Sequence, residues 1–507
     1  FDVGWLKDAR ARFELVAVVN RLDRKHVRAG GCGERRLIYR LAYTAGAAAS
    51  RLPMTLNVVL PQDPAPGEAG CAGVAARWLA VEGAPDRAQA LLSGPLAAPR
   101  TVERVETNLQ SVRIPSGVRP DLGGHAGYVL RVFRAQPGPD GRPARLQVGT
   151  LENTPTVTLD GARREALRRY LRARPGEIDS GLLVLPDEFL ARRSVSVAPR
   201  GVPRAANRPY RKVLGPANRL FRKVKFEGEL VRSAAGALRR LETMSCKGCH
   251  QSGSLAGFHL LGEAQDPQGR WNEVAVPFSR HLQGELGWRR GFLEATARGE
   301  AYAVPRPFAE RTGGGAMGAP CGLGDDPTFK TWGCDAGLVC HDTLGDALGV
   351  CGHAAPVPPG GLTEQATLVP SKSKAPDRVR LRDRLACSGP DPEGATSGNG
   401  FPGGMCHAPC DAYGARQGDA VCGPVPFDGG ALFGGFTHCL ARLGKPFAAC
   451  IADSSRPTWL AHCDRANPCR EDYLCARVPG LPGDEGACLP TYFLAQIRVD
   501  GHALADR

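Results

Sequence analysis

Leu230-Val231-Arg232-Ser233-Ala234-Ala235-Gly236-Ala237-Leu238-Arg239-Arg240-Leu241-Glu242-Thr243-Met244-Ser245-Cys246-Lys247-Gly248-Cys249-His250 is the stretch around which the rest of the chain is read. Leu230, Ala234, Leu238 and Leu241 recur at three- to four-residue steps, the period of a helix with one buried face. That helix runs directly into two thiols separated by two residues, with an imidazole immediately after the second. A further helix is expected over Leu286 to Gly299, so residues 227–312 read as a helical segment.

Upstream, residues 1–226 read as one mixed, strand-rich domain. Phe13 to Val19, Arg36 to Tyr43, Met54 to Leu60 and Tyr128 to Phe133 are short apolar runs bounded by polar or Pro-containing segments, as strands are. Helices are expected over Cys71 to Glu82 and over Gly161 to Arg174. Downstream, Gly313-Gly314-Gly315 reads as a joint, followed by a cysteine-rich module at 313–354, a Pro-containing basic linker at 355–386 and further cysteine-rich modules at 387–507. Two segments look like copies of one module: Cys321, Cys334, Cys340, Cys351, and Cys463, Cys469, Cys475, Cys488. Both contain a Cys-x5-Cys step and end in Gly-x-Cys. The expected fold class is a multi-domain α+β chain, with a strand-rich N-terminal domain, a helical segment and small modules held by disulfides.

Fourteen of the 18 cysteines run from Cys321 to Cys488. Small modules bury too little apolar area to fold unaided, so these cysteines are expected to form seven disulfides. Cys32 and Cys71, the only cysteines before Cys246, are expected to pair with each other. Such density implies an oxidising compartment: periplasm, cell surface or medium. The chain opens on Phe1, and a signal peptide is expected to be already absent. No apolar run is long enough to span a bilayer. The 507 residues carry a net charge of +14, mainly through Arg. This favours acidic partners such as a redox protein or an anionic surface polymer, although a G+C-rich genome raises Arg, Ala, Gly and Pro together. The basic stretch Arg204 to Lys225, with Tyr210 and Phe221, lacks a nucleic-acid fold signature and reads as a solvated surface.

Two thiols on one turn can add to the two vinyl groups of a haem, and the adjacent imidazole can reach the iron. At Cys246, Cys249 and His250, and in the helix leading to them, the chain resembles the c-type cytochromes. That resemblance implies one haem c, thioether bonds at Cys246 and Cys249, and His250 as proximal iron ligand. Elsewhere the chain resembles cysteine-rich secreted bacterial proteins, a likeness that implies no activity. The competing readings of the Cys-x-x-Cys are a redox disulfide, half of a zinc site and a plain structural disulfide. For the sixth ligand position, Met317 and His281 are equal candidates, beside a five-coordinate alternative; Met244 is tethered to the proximal side and His259 lies at the edge. Cys406-His407-Ala408-Pro409-Cys410 lacks the motif spacing and reads as half of two disulfides. Asp23, Glu34 and Asp63 read as solvated or paired acids.

The functional expectation is a monohaem electron-transfer or redox-sensing protein outside the cytoplasm, a carrier more than a catalyst. One motif disfavours a multihaem wire or a two-haem peroxidase. The alternatives are a disulfide-stabilised binding or structural protein of the cell surface and a monohaem oxidoreductase with an open distal site.

Overall fold

The N-terminal strands follow one another as an antiparallel meander. β1 (Ala11–Arg21), β2 (Glu34–Ala45), β3 (Ala48–Pro61), β4 (Arg104–Ile114) and β5 (His125–Pro137) pair in that order. β6 (Pro143–Val148) and β7 (Ser194–Val197) share the outer edge of β5, β6 on Phe133 to Pro137 and β7 on Gly127 to Leu130. The structure is a computed structural model. It describes residues 6–353 except 8, 10, 29, 46–47, 98–100, 115–124, 139–142, 198–206, 249–279, 312–313, 316–318 and 343–346, and beyond these only 386–387, 406–407, 462–463, 473–477 and 486–490. The four expected strands lie within β1, β2, β3 and β5.

In β3, Thr55, Asn57 and Val59 are buried while Met54, Leu56 and Val58 are only partly so. The strand therefore turns polar residues inward. Asn57 Nδ2 donates to Glu106 of β4 at 2.8 Å, so a polar network enters the interior at this end of the sheet.

The helices form two apolar clusters. α1 (Gly70–Glu82) and α8 (Arg280–Ala297) pack Val74 and Ala75 against Trp288 and Phe292, with Leu22 and Cys32 between them. The expected Cys32–Cys71 disulfide is present and ties the start of β2 to α1. A Cβ at Gly291 would lie 2.5 Å from the Tyr302 hydroxyl, so glycine there lets Tyr302 reach the ring of Phe292, 5.9 Å away. After the short α2 (Arg87–Ser93), the second cluster joins α3 (Gly161–Arg172), α4 (Pro175–Ser180), α5 (Pro209–Leu214), α6 (Ala217–Leu220) and α7 (Ala234–Met244). Leu167, Leu171, Ile178, Tyr210, Leu220, Leu238 and Leu241 are its buried centre. This packing runs continuously across residue 226.

α7 starts later than its apolar period implies. The Asp179 carboxylate accepts the N–H groups of Glu229, Leu230 and Val231 at 2.6–3.0 Å, which holds Leu230 outside the helix. Ser233 then caps it, accepting from Gly236 N at 2.9 Å.

In the tail, β8 (Pro320–Gly322), β9 (Leu338–Asp342) and β10 (Leu348–His353) form a sheet in the order β8-β10-β9. Its disulfides are Cys321–Cys340 and Cys334–Cys351. Two-residue strands β11 (Ala386–Cys387) and β12 (Cys406–His407) extend the large sheet beside β4. β13 (His462–Cys463), β14 (Tyr473–Arg477) and β15 (Gly486–Pro490) repeat the order of the first module, β13-β15-β14. The remaining tail pairings expected from the cysteine count rest on side chains that the structure does not describe. The chain is an α+β fold of antiparallel sheet, helices and disulfide-linked cysteines.

Candidate functional site

The C-terminus of α7 delivers Cys246 into a turn held from several sides. Ser245 Oγ donates to Glu242 O at 2.7 Å and accepts from Gly248 N at 2.9 Å. Cys246 N donates to Glu152 O at 3.4 Å, and Lys247 O accepts from Ser196 Oγ of β7 at 2.9 Å. A Cβ on Gly248 would stand 2.0 Å from the Glu242 carbonyl oxygen, so no other residue fits this turn. Cys246 is half-buried at a cleft of about 110 Å³. Cys249 and His250 lie outside the described residues, as do His259 and Met317.

His281, on the first turn of α8, lines the same cleft as Cys246. Its Nε2 is 2.9 Å from Glu285 Oε1. A carboxylate in this position orients an imidazole, as the partners of metal-bound histidines do. With Nε2 so engaged, ligation through this residue falls to Nδ1.

The rest of the cleft is ionic. Arg24 bridges Glu152 and, at 3.0 Å, Glu34. Glu34 also takes Arg36 at 2.8 Å and Arg104 at 2.7 Å, and Arg104 continues to Glu106 at 2.9 Å. Arg21 grips Asp23 with two nitrogens at 2.9 Å. On the α8 side, Glu285 holds Arg306 through both oxygens at 2.6 and 2.7 Å and Arg289 at 2.6 Å. Arg239 pairs with Glu310 at 3.1 Å. Burial alone would push these carboxyls up, but the surrounding guanidiniums reverse it. Arg24, Arg36 and Arg104 hold Glu34 well below the carboxylate range, Arg306 and Arg289 do the same for Glu285, and Arg24 draws Glu152 down to about 2. Glu242 behaves in the opposite way. Burial raises it to about 8, opposed by the Arg211 and Tyr210 N–H groups that its carboxyl accepts.

The described residues fit the edge of a haem site and not its enclosure. They offer a thiol at a helix end and guanidiniums beside it, the chemistry for a thioether and for propionates. At about 110 Å³ the cleft is smaller than the ~300–1,000 Å³ of ordinary small-molecule pockets.

The acids read as solvated or paired divide cleanly. Asp23 and Glu34 are buried in the ionic cluster, while Asp63 meets Arg28 at the surface. Glu106, Glu152, Glu285 and Arg306 carried no motif, and only the folded register brings them together. Within the basic stretch, Lys212, Arg219, Arg222, Lys223 and Lys225 are exposed, while Arg208 is buried. Tyr210 and Phe221 are buried and so unavailable for stacking on bases. No family model, curated protein or solved structure matches the chain. Among the described residues, no helix is long and apolar enough to cross a membrane.

Proposed function

We propose that the chain is an extracytoplasmic monohaem protein, similar to the c-type cytochromes at one motif, which transfers electrons or senses redox state. Cys246 and Cys249 carry one haem c by thioether bonds, and His250 is its proximal ligand. The observation that supports this most is the turn closing α7. A Cys-x-x-Cys-His sequence follows a buried helix, and its Gly248 has room for no side chain beside Glu242 O. When bound, the haem supplies one-electron chemistry at its iron. Ser245 and Ser196 hold the attachment turn, and the cleft arginines lie beside it. His281, braced by Glu285, and Met317 are the proposed candidates for the sixth position. A carrier is preferred to a catalyst. The disulfides support a periplasmic, cell-surface or secreted location, and the exposed basic surface suits an acidic redox partner or an anionic surface polymer.

A second reading, a secreted binding or structural protein, draws on the two tail modules with the same strand order. Visible absorption of the purified protein, before and after dithionite, separates the readings. Haem bands that sharpen on reduction are expected. A low-spin spectrum favours electron transfer and a high-spin one an open-site oxidoreductase. A protein without bands leaves the binding reading alone.

A further inference from the structure

We propose that the outer face formed by α3, α5, α6 and the turn after α6 docks a flexible surface polymer carrying one anionic group on each repeat. Residues 189–226 hold eleven Arg or Lys and no Asp or Glu. Five of these cations, Lys212, Arg219, Arg222, Lys223 and Lys225, are exposed. Among the described residues none of the five pairs with a carboxylate. α3 adds the exposed Arg169, and its position beside them is fixed. Arg168 donates to Leu214 O at 3.2 Å and Arg172 to Leu220 O at 2.6 Å, over a shared buried layer of Leu167, Leu171, Leu220 and Phe221. The acids of this region are already engaged. Glu165 meets Arg168 at 3.1 Å and Arg172 at 3.6 Å, and Glu177 meets Arg174 at 3.5 Å. Glu227 and Glu229, which follow the run, set two charges against six. Lys223 has φ +65°, a conformation that suits glycine better than lysine. The rings of Phe221 and Phe226 hold that turn edge to face at 5.0 Å, so three cations leave one fixed turn.

The chemistry of the face selects the occupant. No large apolar side chain within Pro209–Lys225 is exposed. The face therefore lacks an apolar anchor for a bilayer, a ring on which bases could stack and the aromatic hot spots of a protein interface. What it offers is spaced positive charge, which a chain of repeated single charges can bend to follow. The proposal rests on the extracytoplasmic location given above and not on the haem. Wild-type protein is titrated with polygalacturonate, a carboxylate polymer, and with polyphosphate, with dextran as the uncharged control. Calorimetry is run at about 50 mM and about 300 mM salt, between which screening shortens the reach of charges by more than half. Saturable binding to at least one charged polymer, weaker at the higher salt and absent with dextran, is expected. Arg222→Glu/Lys225→Glu should weaken it about tenfold, the order of several screened surface pairs. The same charge change at two exposed residues of α2 and β6, Arg87→Glu/Arg145→Glu, should weaken it less than about twofold. Lys212→Gln/Arg219→Gln should weaken it about threefold and carries the test if the reversal does not fold. No saturable binding to either charged polymer, or equal weakening by the two reversals, overturns the proposal. So does tighter binding of duplex DNA or of serum albumin, an acidic protein, at matched charge, which assigns the face to nucleic acid or to a protein. Haem is read separately by visible absorption, so either reading can fail while the other stands.

Discussion

Gly248 is the residue on which the attachment turn depends. Replacing it with Ala drives a Cβ against the Glu242 carbonyl oxygen, and backbone on both sides must move. Gly248→Ala should destabilise the protein by about 1–3 kcal/mol, the usual cost of forcing atoms into a filled site, measurable by urea unfolding. One turn earlier, Glu242 gives stability a pH dependence of definite sign. Its carboxyl is raised from 4.5 to about 8 in the folded chain. Between those values the unfolded chain has lost the proton and the folded chain keeps it, so stability present at low pH is lost as pH rises to about 8. The slope from this one group is about 1.4 kcal/mol per pH unit. Glu242→Gln should flatten the decline between pH 5 and 8 in unfolding free energies, and an unchanged slope would place the titrating group elsewhere. Of the motif, Cys246 was legible as a residue because spacing alone defines it. Glu242 was not, because its titration comes from burial in the folded chain, which no local pattern announces.

At the scale of elements, one ionic set joins β2, β4 and the Leu22–Val27 turn, and a second joins α8 to Arg306. Their carboxyls are depressed, so their contribution is present above the ordinary carboxyl range and is lost as pH falls toward about 2, the value for Glu152. Acid unfolding should therefore begin near pH 4–5 and steepen below it, a course opposite in sign to that of Glu242. Circular dichroism during acid titration checks this, and Glu34→Gln should blunt the loss. The Cys32–Cys71 bridge between β2 and α1 should contribute about 2–4 kcal/mol, read as the stability difference of a Cys32→Ala/Cys71→Ala variant. β1, β2, β3 and β5 were legible because short apolar, partly β-branched runs are local, whereas β4, β6 and β7 were not expected; the two early helices were expected at about their observed places. The delayed start of α7 was not, since Asp179 is far away in sequence and competes for the N–H groups of Leu230 and Val231. Nor was the inward polar face of β3, because Thr55 and Asn57 are acceptable inside only once β4 brings Glu106 opposite.

For the whole molecule, the tail repeats one unit. Cys321, Cys340 and Cys351 occupy the three strands of the first module, and Cys463, Cys475 and Cys488 occupy the corresponding strands of the second. The first pairs its cysteines one–three and two–four. The second is predicted to do the same, as Cys463–Cys475 and Cys469–Cys488, and peptide mapping of unreduced protein checks it. The module repeat was readable from cysteine spacing, whereas its connectivity needed the strand order. The cleft shows the same division, since Cys246 of the motif lines it and residues from β1 to beyond α8 make its charge. The claim that joins these features is covalent haem at Cys246 and Cys249. Its most direct measurement is the intact mass of denatured, acid–acetone-extracted protein made in a host able to attach haem c. The wild-type chain should carry the added mass of one haem, and Cys246→Ala/Cys249→Ala should carry none. A wild-type mass equal to the bare polypeptide, or haem retained covalently by the double variant, would contradict it.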